Sequence, residues 1–172
     1  LAASYLGFEF ITSQFQSMIQ GSAKVADALT DMQRAGGYTT EEVAGLNKEL
    51  TDFDTRTSTE TLRSIANIAI RLGVAKDDVA AFTQEFDKLY VVLGNTLGDA
   101  DSAAEALGKI LNVFDGEINA DNISKLGNAI VSLDQSGVAS GAFLVDFMQR
   151  LSGIAKSSNI SLGALAGLGA GI

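Results

Sequence analysis

From Thr57 to Phe114 the chain reads as a succession of short helical phrases, and no other feature constrains its fold as tightly. Each phrase opens on a small polar or acidic residue, and several close on glycine or asparagine. The first kind of side chain accepts hydrogen bonds from the free N–H groups at a helix start. The second tolerates the left-handed conformation that ends a helix. Thr57 stands three residues before Glu60, the spacing of a capping box. Leu62, Ile65, Ile68, Ala69 and Leu72 then recur every three or four residues, which predicts one buried helix face, and Gly73 is placed to end it. Ala75–Asp78 opens the next helix, with Asp77 and Asp78 in the first turn, where the helix dipole favours acids. Its stripe is Val79, Phe82, Phe86, Leu89, Tyr90 and Leu93, and Gly94-Asn95 ends it. Asp99 or Asp101 caps a helix carrying Ala103, Leu107, Ile110, Leu111 and Phe114.

The flanking sequence continues in the same grammar. Residues 3–34 predict one longer N-terminal helix. Phe8, Ile11, Phe15, Met18 and Ile19 line it, and Val25, Ala28, Leu29 and Met32 resume the stripe after a bend at Gly21-Ser22. Gly36-Gly37 stops that helix. Thr39 and Glu42 form a second capping-box pair before Val43, Leu46, Leu50 and Phe53. Asn119 starts a helix with Ile123, Leu126, Ile130 and Leu133. A helix over Ser140–Ala155 carries Phe143, Leu144, Phe147, Leu151 and Ile154, and Ser161 caps a last segment. No stretch alternates cleanly enough for a sheet, and the chain has no proline to kink a helix. The fold class expected is all-α: a compact array of about six to eight short helices with a longer N-terminal helix. Three parts are expected: the long helix over 1–35, a helical core over 36–160, and an apolar Gly-rich segment over 161–172. Short connections lead us to expect sequential helices to pack as neighbours. The phrases RSIANIAIRLG, GKILNVFDG and GNAIVSLDQSG share a rhythm, but the matches are short and gapped and read as common helix grammar. Gly108 and Gly127 lie inside helical phrases, where glycine costs up to about 1 kcal/mol relative to alanine. They are expected to sit at close helix crossings.

The chemistry is restricted by what is missing. The 172 residues include no histidine and no cysteine. The usual general base near neutrality, the commonest metal ligand and all thiolate chemistry are therefore absent. The net charge of −9 gives no basic footprint for gripping a nucleic acid. The acidic pairs Asp52/Asp54, Asp77/Asp78 and Asp99/Asp101 fall at helix starts or connectors and read as caps. Asp115, Glu117, Asn119 and Asp121 copy the first half of a calcium loop. Ala120 replaces its turn glycine, however, and Leu126 its distal glutamate, so the stretch reads as a solvated loop and a cap. We expect no catalytic residue, no cofactor and no metal.

What remains are faces for packing or interaction. Phe82, Phe86 and Tyr90 are candidates in the middle of the chain, and Phe8 and Phe15 on the first helix, whose stripe suits docking on its own helices or on other copies. Gly163, Gly167 and Gly171 are spaced by four and would make one bare helix face. The apolar run Leu162–Ile172 has eleven residues, against about 20 needed to span a bilayer. The apolar tail, and Leu1 in place of methionine, suggest a piece cut from a longer polypeptide. Leu1–Phe10 has no basic leader and contains Glu9.

The stretch from Gly36 to Ile172 resembles the core region of phage tail tape measure proteins, most strongly over Thr57–Phe114. The phrases that carry the likeness are TSTETLRSIANIAIRLGVAKDDVAAFTQEFDKLYVVLG, SAAEALGKILNVF and ISKLGNAIVSLDQSGVASGAFLVDFMQRLSGIA. Gly73-Val74-Ala75-Lys76-Asp77-Asp78 matches the family's turn into an aromatic-bearing helix. Ala106–Asn112 matches its Ala-Leu-Gly-Lys phrase. The resemblance implies a structural protein that sets tail length and assists tail assembly and DNA ejection. It implies several copies together, tail tube subunits and tail assembly chaperones as partners, DNA only in passage, and membrane contact by the parent protein. It implies a place in the virion tail lumen, and in the host cytoplasm during assembly. The alternative is a membrane-active or protein-interaction helical module without catalysis.

Overall fold

A computed structural model describes residues 23–114, 117–137 and 139–171. Among them it contains eight α-helices and no strand. The helices are α1 (Ala23–Gly36), α2 (Thr40–Thr51), α3 (Thr59–Leu72), α4 (Val79–Leu93), α5 (Ala100–Phe114), α6 (Ala120–Gln135), α7 (Gly141–Ser157) and α8 (Leu162–Ala170). Single 3₁₀ turns at Lys76–Asp78 and Gly94–Leu97 flank α4. The all-α expectation is met. The part of the long N-terminal helix before Ala23 lies outside the described residues.

Most helix ends follow from the sequence. Thr39 and Glu42 form a reciprocal capping box on α2: the Glu42 N–H donates to Thr39 Oγ1 and the Thr39 N–H donates to Glu42 Oε2. Asp99, Asn119, Ser140 and Ser161 accept from the first turns of α5, α6, α7 and α8. Gly73 ends α3 in the left-handed region, φ 90°. Two expectations need correction. The cap of α3 is Ser58, which accepts from the Thr61 N–H at 3.1 Å, not Thr57. Thr57 Oγ1 instead donates to Asp87, a carboxylate buried in α4; a hydroxyl that serves a buried acid is not free to cap. And Ala75–Asp78 leads into α4 through a 3₁₀ turn, so the α-helix itself starts at Val79.

The expected packing of sequential helices also needs correction. The main contacts join helices two places apart: α1 to α3, α3 to α5 and α5 to α7 in one row, and α4 to α6 in the other. Successive helices thus fall mostly in alternate rows. Sequential contacts are substantial at α3–α4 and α7–α8 and slighter elsewhere. The core runs between the rows and includes the fully buried Leu29, Leu50, Ile65, Phe82, Phe86, Leu107 and Ile110. The three rhythmic phrases fall on α3 and α5, which share a row, and on α6, which lies in the other.

The internal glycines mark the crossings, as expected. A Cβ on Gly108 would collide with Leu72, where α5 crosses α3. One on Gly127 would lie 3.1 Å from Leu89 Cδ2, where α6 crosses α4. Most polar groups inside the stack have specific partners; among the described residues Asn67 Oδ1 is buried without one. Arg63 Nε donates to buried Asn47 at 2.6 Å, tying α3 to α2. Burial lowers the Arg63 pKa, with Glu60 opposing the shift. Asn67 Nδ2 donates to the Ala28 carbonyl at 3.2 Å and tethers α1 to α3. Asp78 accepts from the Ala120 N–H at 2.8 Å, so the turn before α4 also anchors the start of α6.

Candidate interaction surface

The described residues concentrate uncovered apolar surface at one end of the stack, on α7 and α8. α7 closes with Asn159 in the left-handed conformation, φ 56°, and the Ile160 N–H donates to the Ala155 carbonyl at 2.8 Å. This joint folds α8 back onto α7. Gly169 permits the contact: a Cβ there would lie 2.7 Å from the Phe147 ring. α8 contains no polar side chain, since its sequence is LGALAGLGA. Leu165, Ala166, Gly169 and Ala170 face inward and are buried. Gly163, Ala164, Gly167, Leu168 and Gly171 are exposed. A helix that is apolar all round is ordinarily covered on every side.

Further apolar side chains on these two helices are exposed. Leu168 is 53 % exposed, Ile154 on α7 64 % and Phe143 at the start of α7 44 %. The rings of Phe143 and Phe147 stack at 6.1 Å. Asp146 and Arg150 lie beside this stripe as an exposed ion pair at 2.8 Å. Val91 and Val92 on α4 are also exposed; single apolar residues at a surface are ordinary.

The sequence candidates divide into three groups. Phe82 and Phe86 are fully buried and hold the core. Tyr90 is half-buried, stacks on Phe86 at 6.1 Å, and its hydroxyl donates to the Gly98 carbonyl at 3.2 Å. Gly163 and Gly167 face open space, with no atom within 4 Å of an added Cβ; Gly171 is exposed beside them. Phe8 and Phe15 lie outside the described residues. Leu168 was not singled out from the sequence, and Phe143 and Ile154 were read as part of a buried stripe. The signal is angular: Leu144, Val145, Met148, Ser152 and Ala155 form the buried face of α7, and Phe143 and Ile154 lie on the opposite side of the helix.

The acidic residues do structural work. Glu42 is held below the usual carboxylate range by the Thr39 N–H and then by Lys76. Asp99 is lowered by the Ser102 N–H and hydroxyl. Glu85 is lowered by Lys88, with burial opposing. In the half-calcium pattern, Asn119 caps α6, Asp121 pairs with Lys125 at 2.6 Å, and Glu117 accepts from Asn119 Nδ2; Asp115 is outside the described residues. Among the described residues no group of three or more His, Cys, Asp or Glu is placed to hold a metal ion. An open groove of 490 Å³ between α1 and α3 is lined by Asp27, Asp31, Glu60, Asn67 and Asp101.

Two rows of capped helices with apolar side chains exposed on α7 and α8 define an all-α module. Residues 44–172 match the family described as phage-related minor tail protein. The chain belongs to that family, and its role is that of a structural component of phage tails. No curated protein and no solved structure matches it.

Proposed function

We propose that the chain is a core segment of a tape measure protein, which sets tail length and assists tail assembly and DNA ejection. The family match over residues 44–172 carries this reading, and the ordered phrases from Thr57 to Ala155 narrow it within the family. The role is non-catalytic, in keeping with a chain lacking histidine and cysteine. Its net charge of −9 suits a lumen through which DNA passes without being held. The partners under this reading are tail tube subunits and tail assembly chaperones. Its place is the tail lumen in the virion and the host cytoplasm during assembly. The test is electron microscopy of particles from a phage whose parent gene carries in-frame deletions and duplications outside this region. Tail length should change in proportion to the residues removed or added. Tails of unchanged length would overturn the reading.

One observation favours a second reading, a membrane-active module: the outer face of α8 has no polar side chain. Among the described residues no helix is long and apolar enough to cross a membrane. Dye release from liposomes by the 172-residue chain, abolished by bulky residues at Gly163 and Gly167, would favour it.

A further inference from the structure

We propose that α2 is a releasable strap: residues 39–56 lift off the stack as a unit, tethered at both ends, while the two rows stay folded. The inference concerns the conformational states of this chain and does not depend on the tail-length reading.

The two tethers are firm. Before the strap, Tyr38 is buried, and its ring fills the space that Gly36 leaves beside Ile70 of α3. After the strap, Thr57 donates to Asp87, a carboxylate buried in α4. Between α2 and Thr57 run residues 52–56. Fully extended, they reach about 17 Å, so α2 can move without dislodging either tether.

What holds α2 down is slighter. Among the described residues it stands outside both rows, and its contacts with α1, α3 and α4 are minor. It buries three apolar side chains, Val43, Leu46 and Leu50. On α4, by contrast, Val79, Phe82, Phe86, Leu89 and Leu93 are all buried. A crevice of 260 Å³ opens between α2 and the start of α4, lined by Gly45, Leu46, Glu49, Asp77 and Ala80. The fourth buried side chain of α2 is polar: Asn47, which accepts from Arg63 Nε at 2.6 Å. Burial disfavours the Arg63 charge. Opening returns both groups to water, which offsets part of the apolar burial that is lost.

Lys76 is the fastener. Its ammonium donates to Glu42 Oε2, in the first turn of α2, and to the Gly37 carbonyl, each at 2.9 Å. It also lies 4.7 Å from the centre of the Tyr38 ring. The turn that carries Lys76 is fixed to the stack, because Asp78 accepts from the Ala120 N–H of α6 at 2.8 Å. One side chain therefore reaches from a fixed turn to the moving helix. Opening breaks its bond to Glu42, while its contacts with Gly37 and Tyr38 stay with the tether.

Native-state hydrogen exchange, followed residue by residue by NMR on the 172-residue chain in low urea, tests the proposal. Amides over 43–51 should exchange through an opening at least tenfold more frequent than the one that frees the central amides of α4 and α6. That opening should respond weakly to urea, because it exposes little surface. Two variants separate the strap from the rows. Lys76→Met removes a contact that the open state lacks, so exchange in α2 should rise about three- to fivefold, the effect of an exposed ion pair. Ile123→Val loosens buried Ile123 of α6, which stays packed when the strap lifts. Exchange in α4 and α6 should rise about two- to tenfold, and exchange in α2 should not change. Exchange in α2 that rises with α4 and α6 in Ile123→Val would overturn the proposal, since α2 would then open only when the whole chain unfolds. Exchange in α2 that Lys76→Met leaves unaltered would overturn Lys76 as the fastener.

Discussion

The same one-methyl change at two helical glycines should have opposite effects, and the difference measures how closely the rows are packed. Gly153→Ala on α7 adds a Cβ into open space. It should gain the helix-propensity difference, up to about 1 kcal/mol. For a chain of this length that raises the melting temperature by about 2–4 °C. Gly127→Ala gains the same propensity, but its Cβ would lie 3.1, 3.3 and 3.5 Å from three atoms of Leu89. Leu89 is 5 % exposed and has little room to retreat. Overpacking of this kind costs about 1–3 kcal/mol, so the net effect at Gly127 runs from near zero to a loss of about 2 kcal/mol. The two variants should therefore differ by about 1–3 kcal/mol. Urea unfolding followed by far-UV circular dichroism resolves this, as a slope of about 1–3 kcal/mol per molar turns the difference into a clear midpoint shift. If Gly127→Ala were as stabilising as Gly153→Ala, the α4–α6 crossing would not be close, and the two-row account of the core would fail with it.

Other outcomes follow from single contacts. Phe86→Asp would bury an unpaired charge at a fully enclosed position; the far-UV helical signal at 25 °C should collapse, and an unchanged melt would put Phe86 at the surface. Ser58→Ala removes the α3 cap and should cost about 1 kcal/mol. Thr57→Val removes the hydroxyl that donates to buried Asp87, which should cost about 1–3 kcal/mol; chemical denaturation of the two variants separates cap from buried partner. Glu42, Asp99 and Glu85 all have depressed pKa values. Their contribution is complete at neutral pH and is lost as pH falls through those depressed values, so the melting temperature should decline from about pH 5 downward. Glu42→Gln should flatten part of that decline.

The helices and their caps were legible because their signals are local. Thr39, Asn119, Ser140 and Ser161 cap where their neighbours predict. Thr57 and Ser58 show the limit: two adjacent residues can each cap α3, and Asp87, thirty positions away from Thr57, decides between them. The rows were not legible for a similar reason. An apolar stripe says which face of a helix is buried, not which helix covers it, and the i to i+2 pairing is set by the joints. The glycine spacing of α8 pointed to a bare face, and the structure places Gly163 and Gly167 outward. In a helix without polar residues, however, no amphipathic signal could show that Gly169, in the same run, turns inward against Phe147.

The two-row arrangement has a mechanical consequence. Contacts between helices two places apart join segments close along the chain, and no contact needs the far end to be in place first. A stack of this kind can assemble progressively as its helices appear. Under tension it can also yield in the reverse order. A pull at the α8 end first loads its contacts with α7 and α6, while the crossings at Gly108 and Gly127 lie deeper in the stack. The stack can thus unravel in helix-sized steps, each resisted by one helix's contacts with its row neighbour and with the helix next to it in sequence.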